Sequence, residues 1–387
     1  MNIGIIEIMP FGHFTLVECV AKVYCSDPNN SVKIFINSNT ESKIVELVIS
    51  SSNIELVLRK EGEELHKYFS RINEFKLDIL YITTMEKYYN EFYEFIFSAK
   101  INLFIHNIDE WFNLSFIKRV SSFFYGFTLS RKLVYDFKVN FIYPLKRKKI
   151  ITKIKRNGGK FVVLSSILKK ELSIYIKKDL IDVVPFSFYD KNLTDKSRLN
   201  TRLRICIPGI VSNTRRDYLG ILDLFDDNSE LFKTKIELDL LGCPIQKEDD
   251  KIIQRAKILI FNGVKIHLYE HSFIPTEIFN ENLSKADIIL GNLKIQQGKF
   301  SFYGKTKETG VTFALIRAAK PGVIAEGYDI MDELKSSVLY YKDRDELKTI
   351  LLRLADDKDY LEILKKEAQK NSQSFEPSLI YKNLLGT

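Results

Sequence analysis

One unit constrains the fold of this chain more than any other feature: an apolar run, a glycine turn and a helix-spaced segment. It opens the chain and restarts past the middle. Residues 3–9 form the first run, Met9-Pro10-Phe11-Gly12-His13-Phe14 the turn, and residues 15–24 the helical segment. Residues 203–207 and Pro208-Gly209 renew the strand and turn, and Arg215-Arg216-Asp217 leads into a helix to about residue 225. Between these units, strands are expected at 32–36, 54–58, 77–82, 101–105, 160–165 and 181–185. In the second half they are expected at 236–241, 264–267, 286–291, 323–325 and 338–341. Helices are expected around 41–50, 275–283 and 344–370. Strands alternating with helices, twice over, predict an α/β chain with two doubly wound, Rossmann-like domains facing a cleft. The polar stretch 189–201 serves as the linker. The expected domains are therefore 1–190 and 202–370, with 371–387 a tail or helix returning to the first domain.

With 387 residues the chain has ample length for two cores and needs no staples. Cys19, Cys25, Cys206 and Cys243 lack metal-type pairing, which argues for a reducing compartment without disulfides or a zinc site. The N-terminus enters a strand-like run without a basic signal region, and no apolar run reaches the roughly 18 residues of a spanning helix. A cytoplasmic protein, peripheral on the inner face of the membrane, is the expectation. The net charge of +8 is concentrated: residues 118–160 hold thirteen Lys and Arg against one acid, Asp136, a local charge of +12. Aromatic residues are interleaved there, including Phe123, Phe124, Tyr125, Phe127, Tyr135, Phe137, Phe141 and Tyr143. Such a mixture suits an anionic membrane surface, the alternative being a solvated helix with buried aromatics. No nucleic-acid motif accompanies it, so no nucleic-acid partner is expected.

A second feature is the polar stretch from Tyr303 through Gly304-Lys305-Thr306-Lys307-Glu308-Thr309-Gly310 to Val311-Thr312. It feeds a helix expected over 311–319, which Lys320-Pro321-Gly322 stops. A helix that starts after a glycine loop presents unpaired N–H groups and its positive dipole end, a ready seat for phosphate. Lys305 and Lys307 would add charge, and the glycines would admit a ligand to the backbone.

Taken in order, the second half resembles the nucleotide-sugar domain of GT-B glycosyltransferases, most similar to the retaining family 4, or group 1. Ile207-Pro208-Gly209 with Arg215 and Arg216 resembles the turn that meets the donor diphosphate. Ala286-Asp287-Ile288-Ile289-Leu290 resembles the strand before the donor loop, and Lys307-Glu308-Thr309-Gly310 resembles the loop itself. Residues 318–325 resemble the end of the phosphate-binding helix and the strand after it. In the first half, Gly12-His13 resembles the glycine-rich first loop and His106-Asn107 a strand end facing the cleft. One departure stands out: eight positions after Glu308, where the family has a ribose-binding glutamate, stands Ile316. Ribose contacts do not carry over, and retention versus inversion stays open.

The resemblance implies a glycosyltransferase that moves a sugar from a UDP- or GDP-linked donor to a glycan or lipid-linked acceptor of bacterial surface polysaccharide. It implies no cofactor and no metal. The candidate donor-binding residues are Gly209, Arg215, Arg216, Lys305, Lys307, Thr309, Gly310, Val311 and Thr312. Glu308 would hydrogen-bond the donor sugar, and His13 or His106 would take the acceptor's proton, with Gly12 and Asn107 on the acceptor side. His267 and His271 are weaker candidates, and Asp109-Glu110-Trp111 either meets acceptor or caps a helix. A nucleotide-sugar 2-epimerase on the same fold and a non-catalytic basic binding module are the alternatives.

Overall fold

The structure is a computed structural model. It describes the chain apart from residues 11–12, 45–46, 49–50, 86–87, 114–140, 192, 194–200, 245, 270–273, 298–300 and 387. Gly12, His271, most of the linker and residues 118–140 of the basic segment thus lie outside the described residues. The chain divides into two units, Met1–Phe186 with Pro377–Thr387, and Ser187–Glu376.

The first unit is built on β1 (Asn2–Glu7), β2 (Ser31–Asn37), β3 (Ile54–Arg59), β4 (Ile79–Ile82), β5 (Lys100–Phe104), β6 (Lys160–Val163) and β7 (Ile181–Val183). They form a parallel sheet in the order β3-β2-β1-β4-β5-β6-β7. Ile3, Ile5 and Ile6 of β1 are wholly buried, so both faces of the strand are covered. Helices of this unit that lie between its strands in sequence include, among the described residues, α1 (Phe14–Cys25), α2 (Leu65–Glu74), α3 (Tyr89–Glu94), α4 (Tyr143–Arg156) and α5 (Ser166–Leu172). In the region read as a helix at 41–50, a 3-10 turn, Ser38–Lys43, comes first, and Leu47 and Val48 are helical, with Val48 N donating to the Ile44 carbonyl. The amphipathic α2 was not foreseen at all.

The second unit carries β8 (Leu203–Cys206), β9 (Ile236–Asp239), β10 (Ile266–His267), β11 (Ile288–Gly291), β14 (Gly322–Ala325) and β15 (Val338–Tyr341), beside a two-stranded ribbon of β12 (Gln296–Gln297) and β13 (Ser301–Phe302). Its main sheet runs β10-β9-β8-β11-β14-β15, all parallel. The helices are α6 (Tyr218–Asp227), α7 (Ser229–Lys235), α8 (Asp250–Phe261), α9 (Thr276–Lys285), α10 (Gly310–Ala318), α11 (Arg344–Asp356) and α12 (Lys358–Gln373). The single helix expected over 344–370 is thus two, parted at Asp357, whose side chain caps α12 by accepting from Tyr360 N. Asp287, within the donor-strand motif, accepts from Arg204 N at 2.8 Å and pairs with the buried Lys365 at 2.7 Å, a structural role. The last helix, α13 (Pro377–Leu385), belongs to the first unit, where the Tyr381 hydroxyl accepts from Asn30 and donates to Asp27.

Two polar clusters and a candidate donor site

In each sheet the strand order reverses once, between β1 and β4 in the first unit and between β8 and β11 in the second. Open parallel sheets bind ligands outside the carboxyl ends of the strands at that point. Each unit places a polar cluster there.

In the first unit the cluster begins with Glu7, the last residue of β1 and wholly buried. Its Oε1 accepts from Met9 N at 2.9 Å. Its Oε2 accepts from His13 N at 3.1 Å and from the hydroxyls of Thr83 at 2.9 Å and Thr84 at 2.7 Å. One carboxylate therefore ties the turn after β1 to the turn after β4. His106, beyond β5, donates from Nε2 to the Thr83 carbonyl at 2.7 Å, which assigns its tautomer and makes Nδ1 the basic nitrogen. The rings of His13 and His106 lie 4.2 Å apart at 30°, with Phe186 edge-on to His13. Sequence reasoning named the histidines but missed Glu7, whose signal was a carboxylate closing an otherwise apolar run. Asn107 is engaged locally: it donates to Glu110 and accepts from Asp109 N.

In the second unit the turns after β8 and β11 meet. Arg216 bridges to Leu293, and Asp217 N donates to the Asn292 carbonyl at 2.9 Å. The two arginines part company: Arg215 is exposed, whereas Arg216 is only 7 % exposed. They precede α6 rather than open it, because Asp217 caps that helix through Gly220 N. The Arg216 guanidinium has one side-chain hydrogen-bond partner among the described residues, the Tyr218 hydroxyl at 3.5 Å, and forms no ion pair among them. Gly209, at φ +101°, leaves the room it needs, since a Cβ there would lie 3.1 Å from Arg216 Nη2. Next to these turns Asn292 is 1 % exposed, and neither its Oδ1 nor its Nδ2 has a hydrogen-bond partner among the described residues.

The first turn of α10 comes to the same strand end: a Cβ on Gly291 of β11 would touch Val311 at 3.2 Å. Thr309 caps α10 by accepting from Val311 N, and Ala319 ends it in the left-handed conformation. The expected face of Val311, Ala314, Leu315 and Ala318 is buried, but so are Thr312, Phe313 and Ile316, making α10 a core helix rather than a half-exposed one. Its N-terminus stays open: Gly310 is exposed, and a Cβ there would meet nothing within 4 Å. Glu308, 8 % exposed, is held at Oε2 by the Tyr328 hydroxyl at 2.7 Å, the Thr312 hydroxyl and Thr309 N. Burial and the adjacent carboxylate push the Tyr328 phenol well above its ordinary pKa, so it donates at any ordinary pH. Tyr328 was not foreseen; nothing near it in sequence marks it. The lysines differ from each other. Lys305 is exposed, whereas the Lys307 ammonium lies 5.9 Å from the centre of the Tyr303 ring. His267 sits on the edge strand β10 against Glu237, in an exposed pair apart from this cluster. Among the described residues no group of three or more His, Cys, Asp or Glu could hold a metal ion, and no helix is long and apolar enough to cross a membrane.

Two parallel α/β units with these strand orders define the GT-B fold, and comparison with solved structures agrees. HepE of Anabaena in complex with UDP matches with a TM-score of 0.62 at 12 % identity, covering 100 % of this chain and 99 % of that one. A glycosyltransferase from Rickettsia africae matches at 0.61 and 13 % identity, covering 99 % and 98 % of the two chains. A putative UDP-N-acetylglucosamine 2-epimerase from Listeria monocytogenes matches at 0.56 and 11 % identity, covering 99 % and 94 %. No protein-family model and no curated protein matches in sequence. At such identities the likeness establishes the fold.

Proposed function

We propose that the chain is a glycosyltransferase moving a sugar from a nucleoside-diphosphate donor, UDP- or GDP-linked, to a glycan or lipid-linked acceptor of a bacterial surface polysaccharide. The observation that carries this reading is Arg216: a guanidinium buried at the strand-order reversal without a carboxylate partner among the described residues. A buried cation needs an anion, and the exposed N-terminus of α10 at the same strand end supplies further donors for one. A diphosphate fits both. As the glycosyl bond breaks, charge grows on the diphosphate oxygens, and preorganised N–H donors stabilise it. Glu308, fixed through Tyr328 and Thr312, would hold the donor sugar. His13 or His106 would serve the acceptor, with His106 Nδ1 able to take its hydroxyl proton if the reaction inverts. The likeness to a UDP-bound structure and to a glycosyltransferase supports the donor class.

The reaction is proposed to need no metal, so EDTA should leave the rate unchanged. A thermal-shift screen against UDP, GDP, CMP, ADP and dTDP tests the donor site. A nucleotide at 100 times its Kd stabilises by about 2.7 kcal/mol, and Arg216→Ala should cut that response by about half or more. If no nucleotide stabilises the chain, the reading fails. The likeness to a 2-epimerase favours a second reading. Release of free epimerised sugar without acceptor would select it over transfer.

A further inference from the structure

The described part of the basic segment does two different things. Arg147 is buried: it donates to the Tyr89 hydroxyl at 3.0 Å and to the Glu110 carbonyl at 2.7 Å, and it packs over Trp111. Lys153 donates to the carbonyls of Tyr93 and Phe95 that end α3, and burial lowers its pKa. These two cations are structural. The rest of α4 turns outward along one stripe, Leu145, Lys148, Lys149, Thr152 and Arg156, at helical spacing. That stripe and the end of α3 line a groove of about 870 Å³. Ile96 and Leu145 stand in it 73 % and 62 % exposed. Lys149 lies 5.4 Å from the centre of the Tyr93 ring, and Lys148 and Arg156 form no ion pair among the described residues. Glu94 is the one acid of the lining.

We propose that this groove docks the chain on an anionic lipid bilayer. Leu145 and Ile96 enter the boundary between headgroups and acyl chains, and Lys148, Lys149 and Arg156 meet lipid phosphates. A polyanion such as RNA would reward the cations alone. Large aliphatic side chains standing among them fit a surface that is anionic outside and apolar beneath. The inference deepens the reading of a lipid-linked acceptor and rests on it for its purpose, but it can be tested separately from the donor site.

The test is flotation of the full chain with phosphatidylcholine vesicles, with and without phosphatidylglycerol, at ionic strength of about 0.15 M. Binding is expected only with the anionic lipid. Each cation at such a surface raises the partition coefficient about fivefold, so Lys148→Gln with Lys149→Gln should lower it about 25-fold. Ile96→Ser with Leu145→Ser should lower it at least about tenfold. Thermal melts of the same variants without ligand check that they fold. The proposal is overturned if anionic vesicles do not bind, if neutral ones bind as well, or if neither double variant matters. It is also overturned if the aliphatic variant binds vesicles normally while RNA competes. Vesicle binding without any nucleotide response would sink the donor reading and leave the docking surface standing; the reverse result would do the opposite.

Discussion

At the scale of single residues, the informative groups are polar side chains placed where a hydrophobic core would ordinarily exclude them. Arg216 and Arg215 are neighbours in sequence, yet only the first is buried. If the donor site is as proposed, Arg216→Ala should raise the nucleotide Kd roughly 10- to 100-fold, the span of a charge-assisted hydrogen bond or two. Arg215→Ala should change it little, and isothermal titration of both variants decides. Glu7 answers four donors from two turns. Glu7→Ala would strand those groups in the interior and should cost about 2–4 kcal/mol in a urea melt, with Glu7→Gln recovering part of the loss. Tyr328→Phe should cost about 1–3 kcal/mol, because Glu308 and Thr312 both lose its hydroxyl.

At the scale of elements, the loop before α10 and the first turn of that helix separate structure from binding. Gly304 sits at φ +76°, and a Cβ there would lie 2.8 Å from Asp329 N. Gly304→Ala should therefore destabilise by more than about 1 kcal/mol, whatever the ligand. Gly310 has open space around its Cα. Gly310→Ala should leave stability within about 1 kcal/mol of the parent, since alanine favours helix. If phosphate seats on the exposed N–H groups, the same methyl should weaken nucleotide binding. A melt and a titration on the two variants would read opposite patterns. The helix itself was legible from its spacing and its Lys-Pro-Gly stop, but its burial on nearly every side was not. Lys320, in the turn that stops the helix, shows why: it is 2 % exposed and donates to the Ser284 carbonyl of α9.

At the scale of the whole molecule, the chain leaves its first unit at Phe186 and returns to it at Pro377. Tyr381 packs edge-on against Tyr24 of α1 and bonds Asn30 and Asp27. Deleting 377–387 should therefore speed amide exchange in α1 and leave α10 unchanged, a contrast that hydrogen-exchange mass spectrometry measures directly. Alternation of apolar runs with helix-spaced segments was enough to determine the α/β class and the two parallel sheets, because strand and helix periods are local properties of the chain. Glycine turns and the open helix start were likewise readable, since each depends on a few adjacent residues. Short helices such as α3 escaped, being too brief to show a period. What the tertiary structure decided is which distant groups meet: His13 with His106, Glu308 with Tyr328, Glu7 with Thr83 and Thr84, and Arg216 inward with Arg215 outward. Those meetings follow from strand order and from which turn lies over which strand end. Both are settled by how the layers pack, and packing couples residues that no local pattern links.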